Sequence, residues 1–140
     1  DMCGAFNPVK DLYKTQLYEL VNWRNDNKPK ISLHQKTGII PHNILTKAPS
    51  AELREDQKDS DSLPEYDILD KILFALVDEQ KSVAEIIQNH EELDPELVKK
   101  TAKLLYSSEY KRRQSVIGPK ISDMAFDKDR RYPITNKFIF

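Results

Sequence analysis

The residues best placed to do chemistry are the cations gathered at the C-terminal end. From Lys111 onward there are eight Lys or Arg against three Asp, so a chain of 140 residues with net charge −1 carries −6 over residues 1 to 110. A basic end of this kind meets phosphates of a nucleotide or a nucleic acid, or an acidic protein surface; the plainest alternative is a solvated tail. Within EYKRRQ, Lys111, Arg112 and Arg113 can also favour the negative end of a preceding helix, by less than about 1 kcal/mol each. Upstream, residues 47–62 hold Lys47, Glu52, Arg54, Glu55, Asp56, Lys58, Asp59 and Asp61 with hardly any apolar anchor, which predicts a long mobile loop. His34, His42 and His90 stand apart and match no metal spacing, so surface or capping roles are expected and no metal site. Cys3 is the only cysteine, which excludes an internal disulfide and a cysteine-based zinc site. Glycine is confined to Gly4, Gly38 and Gly118, without GxGxxG or GxxxxGK[ST]; if ATP binds, most of its phosphate cradle is elsewhere.

These groups must be positioned by helices. Val9, Leu12, Tyr13, Leu17, Leu20, Val21 and Arg24 follow helical spacing and predict an amphipathic helix from Asp11 to about Arg24, behind Pro8. Asn25 to Gly38 reads as a loop, and Pro41 to Thr46 as one short helical turn. Ser62 and Glu65 form a capping box with Pro64 in the first turn, opening a helix whose apolar face is Leu69, Ile72, Leu73, Leu76 and Val77. A second box, Ser82 with Glu85, starts a short helix through Asn89. Asp94 and Pro95 start another, with Leu97, Val98, Thr101, Leu104 and Leu105 inward, continuing toward Arg113. Beyond Gly118 and Pro119, one turn at Ser122 to Phe126 and an extended basic segment are expected. The longest apolar run, Ile72 to Val77, is six residues; a bilayer-spanning helix needs about 20. A soluble, cytoplasmic, mainly α chain is the expectation.

Three stretches go further: the start DMCGAFNPVKDLYKT, the run PSAELREDQKDSDSLPEYDILD, and EYKRRQ followed by DRRYPITNKF. Together and in this order they resemble the synthetase part of glutamine-dependent NAD synthetases, over nearly the whole chain and most weakly at Asn25 to Ile40 and Gln80 to Glu92. The resemblance implies that residues 1–140 are the C-terminal portion of a doubly wound α/β domain (adenine nucleotide alpha hydrolase-like, N-type ATP pyrophosphatase), with a lid loop at about 47–62 and a basic tail at about 111–140. Any strand in this portion is expected to be short and near Asn7 to Val9. It implies an ATP-dependent amide ligase that turns deamido-NAD into NAD, with ATP and Mg2+ used by the complete enzyme and none expected bound to this portion alone.

By the same resemblance, Asp1 falls in the family's GD motif beside deamido-NAD, and Lys14 at its LxK position toward the ATP phosphates. Ser50 falls in its P[ST]A[DE] stretch near those phosphates. Glu52, Lys58, Asp59 and Asp61 belong to the loop that orders over bound substrates. Tyr110 and Lys111 fall near deamido-NAD, Tyr110 where ammonia-dependent relatives often carry His. Asp129, Arg130 and Arg131 fall toward the glutaminase part and the ammonia route. A lid is chemically reasonable, because an acyl adenylate hydrolyses if water reaches it.

The SGGxDS-type phosphate loop, the magnesium-holding glutamate and the glutaminase have no counterpart here, and Cys3 in DMCG does not match a glutaminase nucleophile. With a start that lacks Met, this leads to the expectation of a piece of a longer protein, inactive alone, partnered by the rest of the synthetase and a glutaminase domain, and homo-oligomeric. No nucleic-acid or membrane partner is expected. Two other classes stand beside this: a helical interaction or oligomerisation module, and a helix-turn-helix formed by Ser82 to Asn89 and Pro95 to Arg113. The second is disfavoured because its recognition helix would begin in HEELDPE, whose carboxylates would face phosphates.

Overall fold

Between Leu69 and Val77 the apolar side chains recur at helical spacing, and in the computed structural model they form the inner face of a helix. The structure describes residues 4–47, 63–125, 129 and 131–135. Six helices occur among them: α1 (Lys14–Asp26), α2 (His42–Thr46), α3 (Tyr66–Val77), α4 (Val83–Asn89), α5 (Pro95–Ser107) and α6 (Glu109–Gln114). The chain is mainly helical. It divides into two units, one of residues Asp1–Leu12 with Tyr66–Phe140, the other of Tyr13–Glu65.

In the first unit α3, α4 and α5 enclose Ile72, Ala75, Leu76, Val77, Val83, Ile86, Leu93, Val98, Ala102 and Leu105. Helices α4 and α5 begin where their sequences direct. The Ser82 hydroxyl accepts the Glu85 N–H at 3.3 Å while the Glu85 carboxylate accepts the Ser82 N–H at 2.7 Å, closing the capping box of α4. The Asp94 carboxylate accepts the Glu96 N–H at 3.0 Å and Pro95 occupies the first turn, so α5 starts without an unsatisfied donor at that position.

Two boundaries in this unit's helices differ from expectation. Helix α3 begins at Tyr66, beyond Pro64, because a residue before proline is biased to extended backbone and Leu63 to Glu65 stay non-helical; Ser62 lies outside the described residues. The helix from Pro95 does not run unbroken to Arg113. Ser108, at φ −94° and ψ 7°, ends α5 and opens α6, its N–H directed at the Leu104 and Leu105 carbonyls. Leu104, expected inward, is 41% exposed.

The two ends of the first unit are joined by backbone. Phe6 and Ile117 form one isolated parallel bridge, and the Asn7 N–H donates to the Ile117 carbonyl at 2.9 Å, just ahead of the Asn7 to Val9 stretch where a strand is expected. No longer strand is seen among the described residues. Lys10 Nζ donates to the Val116 carbonyl at 2.7 Å. The Asp11 carboxylate accepts the Ile121 N–H at 2.7 Å, the Ser122 N–H at 2.8 Å and the Ser122 hydroxyl at 2.9 Å. Asp11 is therefore an anchor of this joint and not a helix start; α1 begins three residues later.

In the second unit, no described residue is buried. Leu20 and Trp23 on α1 are 43% and 51% exposed, while Leu17, Tyr18, Val21 and Arg24 form a half-buried face, so the expected amphipathic helix exists with only partial cover. Polar bonds organise the loop instead. Arg24 donates to the Asn27, Lys36 and His34 carbonyls and to the Ser32 hydroxyl, at 2.7–3.0 Å. Asn25 exchanges two side-chain bonds with the Ile40 backbone, at 3.0 and 2.9 Å.

Candidate functional site

EYKRRQ forms the whole of α6, and its side chains divide by face. Glu109 is 1% exposed, and Arg112 Nε stands 2.9 Å from its Oε2 with the Arg112 side chain only 7% exposed. Arg113 Nε stands 3.4 Å from Glu109 Oε1. The Arg112 guanidinium lies 5.7 Å from the centre of the Tyr132 ring, and Tyr132 meets Tyr106 edge-on with centroids 4.3 Å apart. Tyr110 and Lys111 face out: Tyr110 is 45% exposed, Lys111 is exposed, and the Lys111 ammonium lies 6.0 Å from the Tyr110 ring centre. Arg112 thus serves the interior, and Lys111 presents positive charge to the outside.

Lys14 is the first residue of α1, half-buried, with its ammonium 5.9 Å from the Tyr18 ring centre one turn on. Lys14 and Lys111 fall in different units, each positioned by the first turns of its own short helix.

Of the tail residues, Asp129 accepts from Lys120 Nζ at 2.6 Å and from the Ala125 N–H at 2.8 Å. The Lys120 contact, then the Ala125 N–H, holds its carboxyl below the usual aspartate range, and Asp129 in turn holds Lys120 above the usual lysine range. Arg131 is exposed. Asp1, Ser50, Glu52, Lys58, Asp59, Asp61 and Arg130, together with the lid stretch from residue 48 to 62, lie outside the described residues.

Sequence reasoning did not single out Glu109 or Tyr132, and it read Arg112 only as a helix-end charge, Asp11 as a helix start and Gly118 as a breaker. The i, i+3 spacing of Glu109 and Arg112 was a usable signal for their pair. Nothing local marks Asp11, whose partners are 110 and 111 residues away. His90 caps α4 and lies 3.4 Å from Glu92, in keeping with a capping role. Among the described residues no group of three or more His, Cys, Asp or Glu is arranged to hold a metal ion. No described helix is long and apolar enough to cross a membrane.

The described residues thus set Lys111 outward on a short helix braced by a buried ion pair. The sequence profile of the NAD synthase family matches residues 1–115, and the chain belongs to that family. It is 49% identical over 136 residues to a glutamine-dependent NAD(+) synthetase of Acinetobacter baylyi, covering 97% of this chain and 24% of the relative. It is 46% identical over 138 residues to that of Aquifex aeolicus, covering 99% and 22%. The solved glutamine-dependent NAD+ synthetase of Acinetobacter baumannii, a complex with ADP, matches at TM-score 0.50 and 40% identity, over 91% of this chain and 20% of that one. The chain spans about a quarter of the length of the curated relatives it matches.

Proposed function

We infer that this chain is the C-terminal region of a glutamine-dependent NAD synthetase, an ATP-dependent ligase that amidates deamido-NAD. The observation that supports this most is the near-complete coverage of the chain by relatives of that name. In such a reaction the nicotinate carboxylate attacks the α-phosphate of ATP and pyrophosphate departs, leaving an acyl adenylate. Ammonia then attacks the acyl carbon, the C–O bond to AMP breaks, and the amide loses a proton to give NAD. Negative charge gathers on the α-phosphate and on the leaving pyrophosphate, so cations fixed beside them lower the barrier.

Within that reading Lys14 meets ATP phosphates, with Ser50 nearby, and Lys111 with Tyr110 meets deamido-NAD, beside Asp1. Glu52, Lys58, Asp59 and Asp61 lie on a lid, while Asp129, Arg130 and Arg131 face the glutaminase part from which ammonia arrives. ATP-bound magnesium takes its protein ligands from other parts of the enzyme. The helices described here are the C-terminal share of a doubly wound α/β domain with its ligands at the carboxyl ends of strands supplied elsewhere, in a cytoplasmic homo-oligomer. The test is NAD formation from deamido-NAD and Mg-ATP with ammonia or glutamine, by this chain and by the longest natural chain containing it. The expected result is turnover by the long chain alone. A long chain that never makes NAD overturns the assignment, and turnover by these 140 residues overturns their incompleteness.

A second reading, an interaction module, is favoured by Ile31 and Leu33, which are 97% and 98% exposed on the loop that Arg24 organises. Sedimentation at rising concentration tests it: self-association that Leu33→Ser abolishes supports it, and a monomer throughout removes it.

A further inference from the structure

We propose that Tyr132 and the buried Glu109–Arg112 pair are positioning residues for substrate, acting through Lys111; this rests on the reading of Lys111 as a contact of deamido-NAD. A buried ion pair adds little net stability compared with an apolar packing of the same volume, so its presence calls for another use, and fixing one geometry is the best attested. Here the geometry is that of α6, a six-residue helix that cannot hold itself. At about 100° per residue, Lys111 points away from Glu109, whereas Arg112 and Arg113 flank it. Clamping Glu109 and Arg112 inward therefore sets the azimuth of the lysine outward. The fixed side of the clamp is the aromatic pair. Tyr106 belongs to α5 and packs against the hydrophobic core, and Tyr132 comes from the tail run DRRYP and lays its ring against the Arg112 guanidinium.

The tail run thus has a role in this chain distinct from its charges: it closes the Arg112 side of α6. Arginine suits the place and lysine does not, because the broad planar guanidinium can face a ring within cation–π range while its Nε side lies in ion-pair range of a carboxylate.

The experiment uses the longest natural chain containing these residues, with steady-state NAD formation as readout and Lys111→Met, Tyr132→Leu, Tyr132→Phe and the Lys111→Met, Tyr132→Leu double variant as its arms. Tyr132→Leu is expected to raise KM for deamido-NAD about tenfold, less than the roughly 100-fold that a full ~1 Å misplacement can cost, with kcat and KM for ATP held within about twofold. Tyr132→Phe, which keeps the ring face, restores the wild-type KM. The double variant matches Lys111→Met alone, because a misplaced side chain that is already gone has nothing more to lose. A Tyr132→Leu enzyme of reduced folded yield but unchanged KM shows a structural role only and overturns the proposal, as does a double variant whose KM is the product of the two single effects. If Lys111→Met leaves KM for deamido-NAD unchanged, the substrate reading of Lys111 fails and positioning through it falls too. A raised KM for Lys111→Met with none for Tyr132→Leu overturns positioning alone. Should Tyr132→Leu not fold, Arg112→Lys carries the same readout and the same outcomes.

Discussion

The Asp11 carboxylate holds Ser122 by two bonds, from its backbone N–H at 2.8 Å and from its hydroxyl at 2.9 Å, across a separation of 111 residues. With the Ile121 N–H at 2.7 Å, this one oxygen ties the segment entering α1 to the tail. Asp11→Ala strands those donors. Hydrogen bonds to a charged group contribute roughly 1.5–3 kcal/mol each and overlap here on one oxygen, so a loss of about 2–4 kcal/mol is expected in urea unfolding, with faster amide exchange at Ile121 and Ser122. Asp11→Asn keeps an acceptor and loses less.

Gly118 lies against that same joint. A Cβ built there would stand 2.6 Å from the Asn7 carbonyl oxygen and 3.0 Å from Lys10 Cβ, so Gly118→Ala forces the two backbones apart. The Asn7 to Ile117 bond, at 2.9 Å, sits in the same place. Overpacking of this kind costs about 1–3 kcal/mol, visible as a lower urea midpoint with an unchanged slope.

At the start of α4, Ser82→Ala removes the hydroxyl half of the capping box and lowers stability by about 1 kcal/mol. The same hydroxyl donates to Glu85 at 2.7 Å, and this bond, with that from the Ser82 N–H, holds the Glu85 carboxyl below the usual glutamate range. In Ser82→Ala, NMR titration should find the Glu85 midpoint moved up toward its ordinary value.

Lys71 donates to Glu92, and this contact, first among several, brings the Glu92 carboxyl from 4.5 down to about 2. Its folded value lies below its unfolded one, so whatever stability it contributes is complete above pH 4.5 and fades as pH falls toward 2. Asp129 behaves likewise below 3.8. Lys120 has the opposite sign: its contribution is complete below 10.5 and is lost as pH rises through its raised value. All three are exposed to solvent, so the effects are small and shrink with salt. Carboxyl NMR should place the Glu92 midpoint well under 4.5 at low salt, and Lys71→Met should return it upward.

What the sequence made legible follows the range of the forces involved. The starts of α4 and α5 were readable because Ser82 with Glu85, and Asp94 with Pro95, cap within one turn. The inner face of α3 was readable because helical periodicity records burial directly. The joint at Asp11 and Gly118 was not, since its partners meet only after folding. Nor was the break at Ser108, where the backbone turns at φ −94° and ψ 7° with no glycine or proline nearby to mark it. For the site, residue types and spacing yielded only a basic end; Lys14 and Lys111 came from family resemblance, which the profile match over residues 1–115 bears out at the level of the family. The local partners of Arg112 and Asp129, which are Glu109 and Lys120, were not legible from residue types alone.

The central claim is that Lys14 and Lys111 meet anionic substrate groups, and a structure of the longest natural chain with ATP and deamido-NAD bound tests it most directly. The account predicts the Lys14 ammonium within about 4 Å of an ATP phosphate oxygen and the Lys111 ammonium equally near an oxygen of deamido-NAD. Both ammonium groups directed into bulk water, away from either substrate, would contradict it.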